Sequence, residues 1–144
     1  MACSELARLL CADEVAAALG AQVRPPTCLL LEPSSRAGRI CLWRSSGGRG
    51  WLTLATFTGP LAAHAVRMER RAGRPVPGLG DEGYLRGGLV CVVRCGERVL
   101  KLVLSGSRAH DPAAGLVRLA GLAAVRLRQA GGPEPSATAP ESPR

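Results

Sequence analysis

The stretch LVCVVRCGERVLKLVL, residues 89–104, constrains this chain more than any other. Two largely apolar runs rich in valine and leucine meet at a Gly-Glu pair, the pattern of a two-residue hairpin with glycine first. With Gly96 and Glu97 as the turn, Leu89, Cys91 and Val93 share one face with Leu100, Leu102 and Leu104, because side chains alternate along a strand. That apolar face is the core face. The other, with Val90, Val92, Arg94, Val99 and Lys101, is mixed and looks toward solvent or a thin cover.

Upstream, TCLLLE (27–32), RICLWRS (39–45) and WLTLATFT (51–58) are three more strands, separated by the turn-rich PSSRAG and SGGRG, and loops this short favour an antiparallel meander. SELARLLCADEVAAALG changes phase at Asp13, which divides it into two short helical pieces, the second running from Asp13 to Leu19 and closing on Gly20. Thr58, Gly59 and Pro60 start a helix whose apolar stripe, Leu61, Ala65, Met68 and Ala72, is expected to be its buried side, with Arg67, Arg70 and Arg71 opposite. Asp111 and Pro112 start the last helix, with Leu116, Leu119, Ala120, Ala123 and Leu127 as its buried stripe. Gly115 and Gly121 inside it each cost about 1 kcal/mol relative to alanine, so either they allow close contact of the helix with the sheet or the helix is merely tolerated there.

This order predicts an α+β fold, a mainly antiparallel sheet of five to six strands with two to three helices packed on it. Residues 1–130 make one domain, and 131–144, GGPEPSATAPESPR, hold too little apolar surface to order themselves and are expected to form a disordered tail.

The net charge of +8 comes from eighteen arginines and one lysine, Lys101, a skew that G+C-rich codon supply produces without selection for charge. Such a field still attracts an acidic protein, nucleic acid or anionic lipid. Nucleic acid is disfavoured because Trp43, Trp51, Phe57 and Tyr84, the four aromatic residues, are not interleaved with the arginines as stacking platforms would be. No run approaches the ~20 apolar residues of a membrane span. The start, MACSELARLL, has neither a basic n-region nor a long apolar h-region. As written it predicts a cytoplasmic protein, and an exported or envelope-associated one if the true start lies upstream.

GLGDEG, residues 78–83, matches the letters of the dinucleotide fingerprint G-x-G-x-x-G. That motif needs a strand before it and a helix on it, so that helix N–H groups hold the pyrophosphate. Here Pro75 and Pro77 precede it, Gly87 and Gly88 follow it, and Asp81 and Glu82 put negative charge where phosphate must sit. A glycine-rich turn entering the sheet is the better reading, and no cofactor is implied.

Cys91 and Cys95 are separated along one strand by ~13 Å, beyond the ~7 Å reach of a disulfide, and serve as small core residues. No spacing of cysteines and histidines suits a metal. Cys11 and Cys41 are the leading disulfide pair should the chain meet an oxidising compartment. His64 and His110, the two histidines, are the only centres for imidazole chemistry. Arg67, Arg70, Arg71 and Arg74 form the densest charge cluster, a solvated helix face or a docking patch for an acidic partner.

LLCADEVAAALG (9–20), the strand motif Cys41, Leu42, Trp43, the segment VPGLGDEGY (76–84) and the closing hairpin plus helix together resemble a family of small actinobacterial proteins of unknown function, many of them exported lipoproteins. The resemblance covers most of residues 9–129. It implies an α+β sandwich with a mainly antiparallel sheet, no established catalytic activity and, in exported relatives, a disulfide to the cysteine of the Cys-x-Trp motif. The chain departs from the family in having Cys11 where threonine is usual and Gly83 where alanine is usual, and in lacking a signal or lipid-attachment segment. These readings converge on a non-enzymatic domain binding a protein partner or small ligand through its sheet or its arginine-bearing helix. The alternatives are a small enzyme with a site around His64 or His110, and nucleic-acid binding through an arginine-rich surface.

Overall fold

The computed structural model describes residues 2–30 and 38–131. Among them are seven strands and four helices: α1 (Cys3–Ala7), α2 (Ala12–Leu19), β1 (Thr27–Leu30), β2 (Gly38–Arg44), β3 (Trp51–Phe57), α3 (Gly59–Ala72), β4 (Arg74–Pro75), β5 (Glu82–Arg86), β6 (Val90–Cys95), β7 (Arg98–Ser105) and α4 (Pro112–Gly131). The strands form one antiparallel sheet in the order β1-β2-β3-β7-β6-β5-β4. The fold is thus α+β, with more elements than the sequence indicates. β4 is a two-residue edge made by pairing with β5, and local pattern cannot announce so short a strand. Of the predicted tail, Gly131 is the last residue of α4, and the rest lies outside the described residues, as do Leu31 and Glu32 of the first predicted strand.

The sheet consists of two three-stranded meanders, β1-β2-β3 and β5-β6-β7, joined through their last strands, β3 and β7. The β6–β7 hairpin has the predicted two-residue turn, since Cys95 pairs with Arg98 and Gly96 has φ 64°. Its core face carries Cys91, Val93, Leu100, Leu102 and Leu104, all buried. Leu89 is a correction: it lies in the turn before β6 and is largely exposed.

Two layers of helix cover the sheet unequally. On one face α1 meets β1 and β2, α2 meets β3 and α4, and α4 meets β6 and β7, burying Leu6, Leu19, Trp43, Leu54, Leu116 and Leu119 with the hairpin's core face. Gly115 makes the α2–α4 contact close, because a Cβ there would stand 3.3 Å from the Ala18 Cα. Its neighbour is therefore a helix rather than the sheet. On the opposite face α3 is the one helix among the described residues, in contact chiefly with β4, β5, β6 and β7, where Ala62 and Val66 pack on Val92 and Val99. This is the thin cover of the hairpin's second face.

The seating of α3 corrects the predicted buried stripe. Ala62, Val66 and Glu69 are its buried residues, whereas Leu61 is 40% and Met68 51% exposed. The cause is electrostatic. Glu69, 3% exposed, receives two charge-assisted hydrogen bonds from Arg86 of β5, Nε to Oε1 at 3.0 Å and Nη2 to Oε2 at 3.0 Å. With that pair held against the sheet, Leu61 and Met68 lie outside the interface, while Ala65 stays partly buried against it.

The predicted Cys11–Cys41 disulfide is also corrected. Cys41 is bonded to Cys28, and Cys11 is free and exposed. Cys28 and Cys41 lie directly opposite one another in the β1–β2 ladder, with Cα atoms 4.1 Å apart, whereas Cys11 N-caps α2. The bond fastens edge strand β1 to the sheet. Replacing both cysteines by alanine should lower stability by about 3 kcal/mol, as expected for a closed loop of this length, measured by urea unfolding without reductant. Wild type unfolded with reductant should show the same loss.

Candidate functional site

GLGDEG is a junction between elements. Gly78 and Gly80 have φ 78° and 61°, and the segment turns directly into β5 instead of opening a helix. A Cβ on Gly80 would collide with the Val93 side chain and stand 2.7 Å from the Arg94 carbonyl oxygen, so glycine is required there on both conformational and steric grounds. Leu79 is buried in the main core. Asp81 accepts a hydrogen bond from the Gly96 N–H at 2.6 Å, pinning the β6–β7 turn, and pairs with Arg94 and Arg128. The backbone N–H of Gly96 is the main cause that holds the Asp81 carboxyl below its usual range, with Arg128 and Arg94 adding to it.

Glu82 accepts from Arg70 at 2.8 Å, Arg94 at 2.7 Å and the Tyr84 hydroxyl at 2.8 Å. Arg70 first, then Arg94 and Tyr84, hold its pKa down to about 2 against the opposing effect of burial. The acids of the motif are therefore neutralised by the protein's own arginines. On the far face Glu14 does the same work, accepting from the Cys11 N–H at 2.9 Å and from Arg126 at 2.6 Å. Arg126 is the main cause of its pKa of about 2.

The four arginines of the cluster are placed differently. Arg70 is spent on Glu82, Arg74 lies on β4, and Arg67 and Arg71 are exposed on α3. A groove of about 450 Å³ runs between α3 and the β6–β7 turn, lined by Ala62, Val66, Arg67, Arg70, Arg94 and Val99 among others. A second, of about 420 Å³, lies between α2 and α4 beside Asp13, Glu14, Asp111 and Arg118. No histidine lines either groove.

His64 and His110 are both exposed and are not brought together. The first is on α3, and the second lies in the β7–α4 connection, which runs beside the Gly20 end of α2. Ser107 is occupied structurally, its Oγ donating to the Ala18 carbonyl oxygen at 2.7 Å. Cys91 and Cys95 are buried free thiols, and burial pushes Cys91 up to about 12, far from the thiolate that reactivity requires. Among the described residues no three His, Cys, Asp or Glu side chains are grouped to hold a metal ion. No described helix is long and apolar enough to cross a membrane.

The feature that sequence reading missed is the half of the α3 face that α3 leaves open. Alternation from the buried Leu52, Leu54, Cys41 and Trp43 puts Leu29 of β1, Ile40 and Leu42 of β2, Trp51 and Thr53 of β3, and Lys101 and Val103 of β7 on that face. They form continuous rows: Leu29, Ile40, Ala55, Lys101 and, beside it, Thr27, Leu42, Thr53, Val103.

The misplaced stripe of α3 borders this floor. Arg70 reaches Glu82 at the start of β5 and Glu69 reaches Arg86 at its end, so the helix crosses the strands. At 100° per residue, Leu61, Ala65, Met68 and Ala72 follow on the Glu69 side, toward the end of the sheet where Val103 lies. Leu29 (61% exposed) and Trp51 (37%) are exposed on this face and Leu61 and Met68 on α3, four of the six exposed large hydrophobics of the described chain.

No family model, curated protein or solved structure matches the chain.

Two variants test the electrostatic frame. Because the folded pKa of Glu82 lies below its ordinary value of 4.5, the stability it contributes is complete above that pH and is lost as pH falls toward about 2. Glu82→Gln should therefore cost about 1 kcal/mol at pH 7, with the deficit closing between pH 4.5 and 2 in urea unfolding curves. Arg86→Met leaves Glu69 buried without its cation and should cost about 3 kcal/mol, most of it recovered in the double variant Arg86→Met/Glu69→Leu.

Proposed function

We propose that this protein is a non-enzymatic binding domain whose docking surface is the open half of the sheet face beside α3. The observation that carries the reading is the exposure of Leu29 and Trp51 on the sheet face that α3 leaves open, with Leu61 and Met68 exposed on α3 itself. A contiguous exposed apolar area bordered by polar residues marks an interaction site in a folded protein, and an exposed tryptophan at its border is a residue type that anchors interfaces. The dispersal of His64, His110 and the carboxylates argues against the enzyme reading, and the placement of arginines on α3, α4 and several strands argues against a nucleic-acid stripe.

The order of motifs shared with the actinobacterial family, together with the Cys28–Cys41 bond, supports membership of that family and residence in an oxidising compartment. Protein isolated from its host under thiol-trapping conditions should alkylate at four of its six cysteines. Six alkylations would remove that support.

The binding surface is tested with exposed positions, where substitution changes stability by no more than about 0.5 kcal/mol. Leu29→Asp on the floor and Met68→Asp on the wall should each abolish capture of the partner from host extract. Val125→Asp, at an exposed apolar position of α4, should leave it intact. Unchanged capture by the first two variants, with wild-type melting temperatures, would exclude this surface.

A further inference from the structure

The open half-face also specifies what it takes. Resting on the binding surface proposed above, we propose that its occupant is an acidic amphipathic helix of another protein, seated on the floor formed by β1, β2 and β3 and alongside the exposed flank of α3.

The dimensions of the floor suit one helix. Three strands at ~4.8 Å spacing give a floor ~14 Å wide, which accommodates one helix of ~10–12 Å diameter. α3 solves the same problem on the other meander, covering β5, β6 and β7 with one helix. A helix beside it, at the usual 8–10 Å between axes, would touch Leu61, Ala65 and Met68 while lying on Leu42 and Leu29. The stripe of α3 that faces away from its own sheet thereby acquires a partner.

The charge of the floor suits an acidic ligand. β1, β2, β3 and β7 carry no carboxylate, and Lys101 and Arg44 stand on this face. Glu69, the acid on the underside of α3, is already paired with Arg86. Among the described residues of these strands only positive charge remains for an incoming ligand, so a helix with acidic flanks is attracted and a basic one repelled. The same charges weigh against a second copy of the chain, which would set Lys101 and Arg44 against their own counterparts on a protein of net charge +8. A bilayer is disfavoured by shape, because the floor lies one helix layer below the outer side of α3 and a flat surface meets Arg67 and Arg71 first.

The test uses the whole folded protein and two labelled helical peptides of about 15 residues, the length that spans a seven-residue strand. Both carry leucines at i, i+3, i+4 and i+7; one has glutamates on its other face, the second lysines. The glutamate peptide should bind at least about tenfold more tightly than the lysine peptide, since one added charge-assisted hydrogen bond and the relief of one repulsion amount to that much. Its binding should weaken in high salt, weaken severalfold in Lys101→Glu and vanish in Leu29→Asp.

Equal affinity for the two peptides would overturn the acidic assignment, and binding of neither would overturn the helical one. If Leu29→Asp and Met68→Asp still abolish capture of the native partner in either case, the binding surface itself survives. Two further outcomes overturn the proposal. One is floor-dependent binding to vesicles containing phosphatidylserine without peptide binding. The other is a dimer, seen by sedimentation, that excludes the peptide.

Discussion

The ion pair between Glu69 and Arg86 decides how this molecule presents itself. A carboxylate on the underside of a helix is expensive to bury without a partner, and Arg86 supplies one from the end of β5. To satisfy it, α3 must sit with Ala62, Val66 and Glu69 down, and Leu61 and Met68 are carried out of the core. Two small residues and an acid replace two large apolar ones at the interface. The helix therefore covers one meander and turns Leu61 and Met68 along the sheet toward the end where Val103 lies. The open half-face, its apolar wall and its lack of available acids all follow from that seating.

The remaining frame keeps this surface in place. β1 is an edge strand with one neighbour, β2, and the Cys28–Cys41 bond holds it, and with it Leu29, in register. At the other side of the sheet GLGDEG gathers Arg70, Arg94, Arg128 and the Gly96 turn around two carboxylates. It ties α3, α4 and the β6–β7 hairpin into one body. Asp81 and Glu82 are thereby held in a structural network, which Arg70 joins from α3.

Much of this is legible in the residues. Alternation around Gly96 and Glu97 predicts the hairpin, its register and both of its faces, and the caps at Gly20 and Asp111 bound α2 and α4. The glycines of GLGDEG read correctly as a turn because prolines and acids exclude the alternative. Periodicity fails on α3, where Leu61, Ala65, Met68 and Ala72 are a sound stripe by spacing. The error lies in assuming that an apolar stripe must face its own sheet. The signal that corrects it is Glu69, three residues after Val66 and seven after Ala62, but no local rule says that Arg86 will be waiting for it. The disulfide is misassigned from sequence for a similar reason, since the partner of Cys41 depends on the β1–β2 register, and neither strand's sequence states which residues fall opposite.

The orientation of α3 is therefore the claim on which the account stands, and the chain contains a direct probe of it. Met68 is, after Met1, its only other methionine, and peroxide converts an accessible methionine to the sulfoxide while sparing a packed one. Peptide mapping of the native protein after a timed peroxide pulse should show Met68 oxidising at a rate within about threefold of that in the urea-unfolded chain. Protection of Met68 by more than about tenfold in the isolated, monomeric protein would mean that the stripe faces the sheet after all, and would contradict the account.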